Sequence, residues 1–143
     1  MLVRSIAAAI AAVLATEGLR AADPTAVEFF ENKVRPILVQ NCLGCHGPEK
    51  QKGGLRLDSE AAVLKGGDSG PALASGEPAK SRLIDAVGYQ NVELHMPPKG
   101  KLPDAVIADL TEWVRRGAAW PAESVAKATA AGQFGLAARM AAH

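Results

Sequence analysis

Aromatic residues are scarce: Phe, Trp and Tyr make up 4% of the 143 residues, against 48% hydrophobic and 22% charged. So few rings fill an ordinary core poorly and leave room for a bound apolar group. An excess of either charge is also lacking. Lys and Arg total 16 against 15 Asp and Glu, a net charge of +1 that excludes the basic surface of a nucleic-acid binder. The length fits one hydrophobic core and leaves no room for a second catalytic domain. With only two cysteines the chain is no disulfide-rich scaffold. No internal repeat is present.

Long apolar runs are missing too. The longest, Ile6 to Ala15, falls well short of the roughly 20 residues that span a bilayer. It follows Arg4 and precedes the small residues Ala21 and Ala22, the pattern of a secretory signal peptide. Residues 1–22 are therefore expected to be removed, with cleavage near Ala22 and export to the periplasm. Their loss takes away Arg4, Arg20 and Glu17 and leaves a formally neutral mature chain without a transmembrane segment.

The two cysteines carry the chemistry. Cys42-Leu43-Gly44-Cys45-His46 is C-x-x-C-H, the attachment signature of c-type haem. Thiols at this separation can add to the two vinyl groups of one haem, and the adjoining imidazole of His46 becomes a proximal ligand to iron. A bare Cα at Gly44 is expected to clear the ring, and Gly47 to let the chain turn after the ligand. Three other readings compete. A redox dithiol needs a βαβ pattern that is absent. A zinc site drawn from Cys42, Cys45, His46 and His95 lacks a second ligand pair. A disulfide across two residues would be strained and would leave His46 without a role.

A six-coordinate haem needs a second axial ligand, and the mature chain offers Met96, Met140, His95 and His143. Met96 stands 50 residues after His46 and opens Met96-Pro97-Pro98-Lys99-Gly100, where successive prolines stiffen the loop and push Met96 towards an extended backbone. A lone methionine is most often core filler, but this setting favours a ligand. His95 is the rival, because imidazole also binds iron and the two residues adjoin. Met140 and His143 lie in the tail.

Helical periodicity is clear at both ends of the domain. Asp23-Pro24 reads as N-cap and first residue of a helix carried by Val27, Phe30, Val34, Ile37 and Leu38, with Pro36 kinking or dividing it. Val106, Ile107, Leu110, Trp113 and Val114 mark a second helix, entered after Pro103-Asp104 and closed by Gly117. The two are expected to pack together, with Trp113 in their core rather than against the haem. Between them, Leu55 and Leu57 are expected to cover one haem edge. A short helix follows, capped by Asp58 or Ser59, and another runs from Pro78 or Ala79 to Val87 with Leu83, Ile84 and Val87 inward. Arg56 is a candidate partner for a haem propionate, with plain solvation the commoner role of a loop arginine. A carbonyl, Pro48 being one choice, is expected to accept from the second ring nitrogen of His46. From residue 122 the chain turns into an Ala-rich tail or linker to His143.

From about Glu28 to Pro121 the sequence also resembles the planctomycete-type cytochrome c domain, in Phe29-Phe30-Glu31-Asn32-Lys33-Val34-Arg35-Pro36-Ile37-Leu38, Cys42-Leu43-Gly44-Cys45-His46-Gly47-Pro48, Gly54-Leu55-Arg56-Leu57-Asp58, Lys65-Gly66-Gly67-Asp68-Ser69-Gly70-Pro71, Met96-Pro97-Pro98 and Trp113-Val114-Arg115-Arg116-Gly117-Ala118. The resemblance implies an all-α cytochrome c-like fold, four to five helices around one covalent haem c, over residues 23–121. It implies His46 and Met96 as axial ligands of the iron, and thioethers at Cys42 and Cys45. Pro103 departs from the family, which often has a capping Ser there. Family members usually carry this domain at the head of a longer protein, so a stand-alone carrier and a truncated product are both open. The expected function is electron transfer with unidentified redox partner proteins, by a monomer that is not an enzyme. The alternative is a haem enzyme or small-ligand sensor with a labile sixth ligand, for which His95 is the one acid or base. A haem-dependent docking module has no positive support in the sequence.

Overall fold

Asp23 caps the first helix: its carboxylate accepts from the Thr25 backbone N–H at 2.9 Å, and Pro24 occupies the first turn. The computed structural model describes residues 23–122. The expected signal peptide, and the tail beyond Ala122, lie outside the described residues. Helix α1 (Pro24–Phe29) runs into a π-helical turn, Phe30–Val34, and on into α2 (Arg35–Asn41). The expected disturbance at Pro36 is real but sits just before it. Pro36 cannot donate and its ring crowds the carbonyl four residues back, and the widened turn, closed by Arg35 N–H to Phe30 C=O, provides the room.

The remaining helices are short except the last. Helix α3 spans Glu60–Lys65, α4 Arg82–Gly88 and α5 Asp104–Arg115, with 3-10 turns at Lys52–Gly54 and Pro78–Lys80. The described residues contain two isolated β-bridges and no strand, in line with the all-α expectation. Ser59, not Asp58, caps α3, accepting from Ala62 N–H at 3.3 Å. Pro103 precedes α5 with no side-chain cap, and α5 starts at Asp104.

The helix expected from Pro78 to Val87 is broken at Ser81. Ser81 is 2% exposed. Its Oγ accepts from Ala74 N–H at 2.9 Å and faces the carbonyls of Ala74 and Glu77 at 3.1 and 3.0 Å. That local network competes with helix continuation and holds the residue extended. Leu83 N–H then bonds Ala72 C=O at 2.9 Å, so the start of α4 is tied down on both sides of Arg82.

The core lies where α5 crosses the π turn. Phe30, Trp113 and Trp120 stack around one another, with centroids 5.7, 4.4 and 5.9 Å apart, and all three are buried. Val34, Leu38, Leu110 and Val114 surround them. Trp113 is thus a core residue, as expected, and its indole N–H donates to Ala119 C=O at 3.0 Å. Trp120, beyond the periodic helix, is an addition that periodicity could not find.

Candidate functional site

Helix α2 ends at Asn41 and delivers Cys42 into a tight turn. Cys45 and His46 both direct their N–H groups to the Cys42 carbonyl, at 3.1 and 2.9 Å. This helix-like turn sets residues i, i+3 and i+4 on one side, so both thiols and the imidazole share a face. Leu57 N–H donates to His46 C=O at 2.8 Å and Lys52 N–H to Cys45 C=O at 3.0 Å, which clamps the turn against the following segment. Gly47 is required by close approach: a Cβ there would stand 2.4 Å from Leu43 O. Gly44 is different. It does not line the cavity described next, and a Cβ on it would meet no other part of the chain within 4 Å.

Cys42, Cys45, His46 and Met96 all line one cavity of about 410 Å³. Leu55, Leu57, Ala72, Leu83, Ala86, Val87, Leu94, Pro97 and Pro98 make most of its wall apolar. Leu55 and Leu57 take the covering position expected of them. The volume falls in the range of small-molecule and cofactor sites. Its polar rim includes Lys52 and Arg82, and no carboxylate is among the lining residues.

Met96 reaches the cavity through α4. Its N–H donates to Ala86 C=O at 3.0 Å, and the Tyr89 hydroxyl donates to the carbonyl of Pro97, which follows a cis Met96-Pro97 bond. The rival His95 does not line the cavity. Its ring stacks on Tyr89, centroids 4.2 Å apart and planes within 4°, where its Nε2 is buried without a partner. His46 Nδ1 is likewise buried with no partner. The expected bond to Pro48 is not made, because Pro48 sits on the exposed tip of the turn that Gly47 N–H closes to Lys50 C=O at 2.9 Å.

Arg56 is also placed otherwise than its propionate role required. It does not line the cavity, and its guanidinium forks onto Asp58 at 2.9 and 2.6 Å. That hydrogen bond, chiefly, holds the Asp58 carboxyl below its ordinary range. A carboxylate with a lowered folded value stabilises above the unfolded value near 4 and loses that contribution as pH falls through the lower one. The side chains are partly exposed, so Asp58→Asn is expected to cost about 0.5–1 kcal/mol at pH 7. The difference from the native chain should shrink towards zero as the pH falls through and below the lowered folded value, read by urea unfolding at each pH. A gap that stays constant with pH would rule out the ion pair as its cause.

Both cysteines are free thiols, and burial pushes Cys42 up to about 11. Among the described residues no three His, Cys, Asp or Glu side chains come together to hold a metal ion, so the zinc reading has no donor set. A haem fits better: two thiols and an imidazole on one face, an apolar wall and a thioether at the same cavity. No helix among the described residues is long and apolar enough to cross a membrane.

Residues 42–100 match the family model of Planctomycete cytochrome C, a stretch that contains both cysteines, His46 and Met96 and excludes α1, α2 and α5. No curated protein and no solved structure matches the chain.

Proposed function

We propose that the chain is an exported one-haem electron carrier of the planctomycete cytochrome c type, built on residues 23–121, with Cys42 and Cys45 as thioether attachments and His46 and Met96 as axial ligands; the match of residues 42–100 to the family model supports this reading. The single observation that carries this reading is the convergence of those four side chains on one apolar cavity. When bound, the haem supplies an iron that alternates between Fe(II) and Fe(III).

The chain's own residues do the rest. The turn at Cys42 holds the imidazole of His46 at the cavity, and the backbone bond from Met96 to Ala86 fixes the thioether on α4. Leu55, Leu57, Leu83 and Val87 keep water from the site. Burial and thioether ligation both favour the reduced state, so the potential should lie above that of a bis-histidine site. Catalysis at the iron would need a distal acid or base, and His95, the one candidate, is stacked on Tyr89 outside the cavity lining.

The test is an absorption spectrum of the exported protein, oxidised and reduced, with carbon monoxide added to the reduced form and the denatured chain stained for haem on a gel. Haem is expected to stay on the denatured native chain and to be lost from the Cys42→Ala, Cys45→Ala double variant. A weak far-red sulfur-to-iron(III) band should vanish in Met96→Ala, which should also bind carbon monoxide while the native protein does not. A prompt carbon monoxide shift in the native protein would favour the enzyme or sensor instead. Absence of covalent haem would end both readings.

A further inference from the structure

The described residues contain five arginines, and four of them are paired with carboxylates: Arg35 with Glu31, Arg56 with Asp58, and Arg115 and Arg116 with Glu112. Arg82 is the exception among the described residues. It lines the cavity, and no Asp or Glu lines the cavity with it. Its backbone is also unusually well fixed for an exposed residue. Ser81, 2% exposed, is locked by its three contacts to Ala74 and Glu77, and Leu83, 8% exposed, is bonded to Ala72.

A guanidinium at the rim of an apolar cavity, positioned by its neighbours and lacking a carboxylate partner, is matched to a planar anion with two oxygens. Haem carries two such groups, its propionates, and otherwise presents an apolar face to the wall. We propose that Arg82 is the residue of this chain that binds a haem propionate, by charge-assisted hydrogen bonds from its guanidinium fork. This rests on the haem reading above. It assigns to α4 the role that the sequence pattern suggested for Arg56, whose fork is already filled by Asp58. Lys52, a point charge on the same lining, adds to the positive rim without the geometry for two-oxygen recognition.

The experiment uses the haem-loaded protein with Arg82→Gln, Arg82→Lys and, as control, Arg56→Gln. Two quantities are read: the propionate-bending mode in the resonance Raman spectrum, and the ratio of reduced to oxidised protein at a fixed applied potential. Removing a cation near the iron favours Fe(III). Arg82→Gln should therefore shift the Raman mode and lower the ratio by on the order of threefold to tenfold. Arg82→Lys should shift the mode while retaining most of the ratio, since the charge stays and the fork is lost. Arg56→Gln should move neither. An unchanged Raman mode in haem-loaded Arg82→Gln, whatever the ratio does, would overturn the assignment and leave the haem reading standing. A native chain without covalent haem would overturn both.

Discussion

Trp113→Ala is expected to lose about 3–5 kcal/mol of unfolding free energy, the usual cost of truncating a buried indole. Trp113 is 1% exposed and packs against both Phe30 and Trp120. Its removal opens a void in the only aromatic cluster the described residues have and leaves Ala119 C=O without its donor. In a sequence so poor in rings, few side chains can collapse into that space. Urea unfolding checks the number, and a loss below about 1 kcal/mol would mean that the cluster does not carry the core. The haem spectrum of the surviving folded fraction should match the native one, because Trp113 does not line the cavity. A changed spectrum would place the indole against the haem after all.

Gly66→Ala is expected to be as damaging, for a backbone reason. Gly66 closes α3 at φ 74°, ψ −160°, a region that side-chain-bearing residues essentially never adopt. A Cβ there would also stand 2.1 Å from Gly70 O and 2.6 Å from Pro71 Cα. Strain and overlap together cost about 2–6 kcal/mol. Because Gly67 and Gly70 line the cavity, the displaced turn should also disturb the haem spectrum. Gly44→Ala is the matched control. It meets nothing within 4 Å and should stay within about 0.5 kcal/mol of native, with its spectrum intact. Equal stability of the two variants would show that the turn at Gly66 yields easily.

What the sequence made legible was local. Asp23-Pro24 named the first helix start, the apolar spacing from Val106 to Val114 placed α5, and C-x-x-C-H with Met96-Pro97-Pro98 marked the side chains that meet at the cavity. Each of these signals is complete within a few residues. What stayed hidden depends on partners far along the chain or on competition between neighbours. Ser81 breaks a plausible helix because Ala74 and Glu77 lie within its reach. Arg56 looked free for an anion until Asp58, two residues on, took its fork. Arg82 gave no signal at all, since a helix-start arginine is ordinary until the cavity beside it is known. The proline-stiffened loop favoured Met96 over its neighbour His95 as a ligand; Met96 lines the cavity, while His95 is stacked on Tyr89 and does not.

The π turn at Phe30–Val34 gives the rod from Pro24 to Asn41 a built-in phase offset. An α-helix advances about 100° and 1.5 Å per residue, so one residue fewer in that turn would rotate everything after it by more than a quarter of a circle. Phe30, at the start of the turn, would still face α5, while Cys42, Cys45 and His46, all downstream and bonded into one turn, would swing together away from the wall that carries Met96. The widened turn thus lets a single rod serve two azimuths, one towards the core and one towards the cavity.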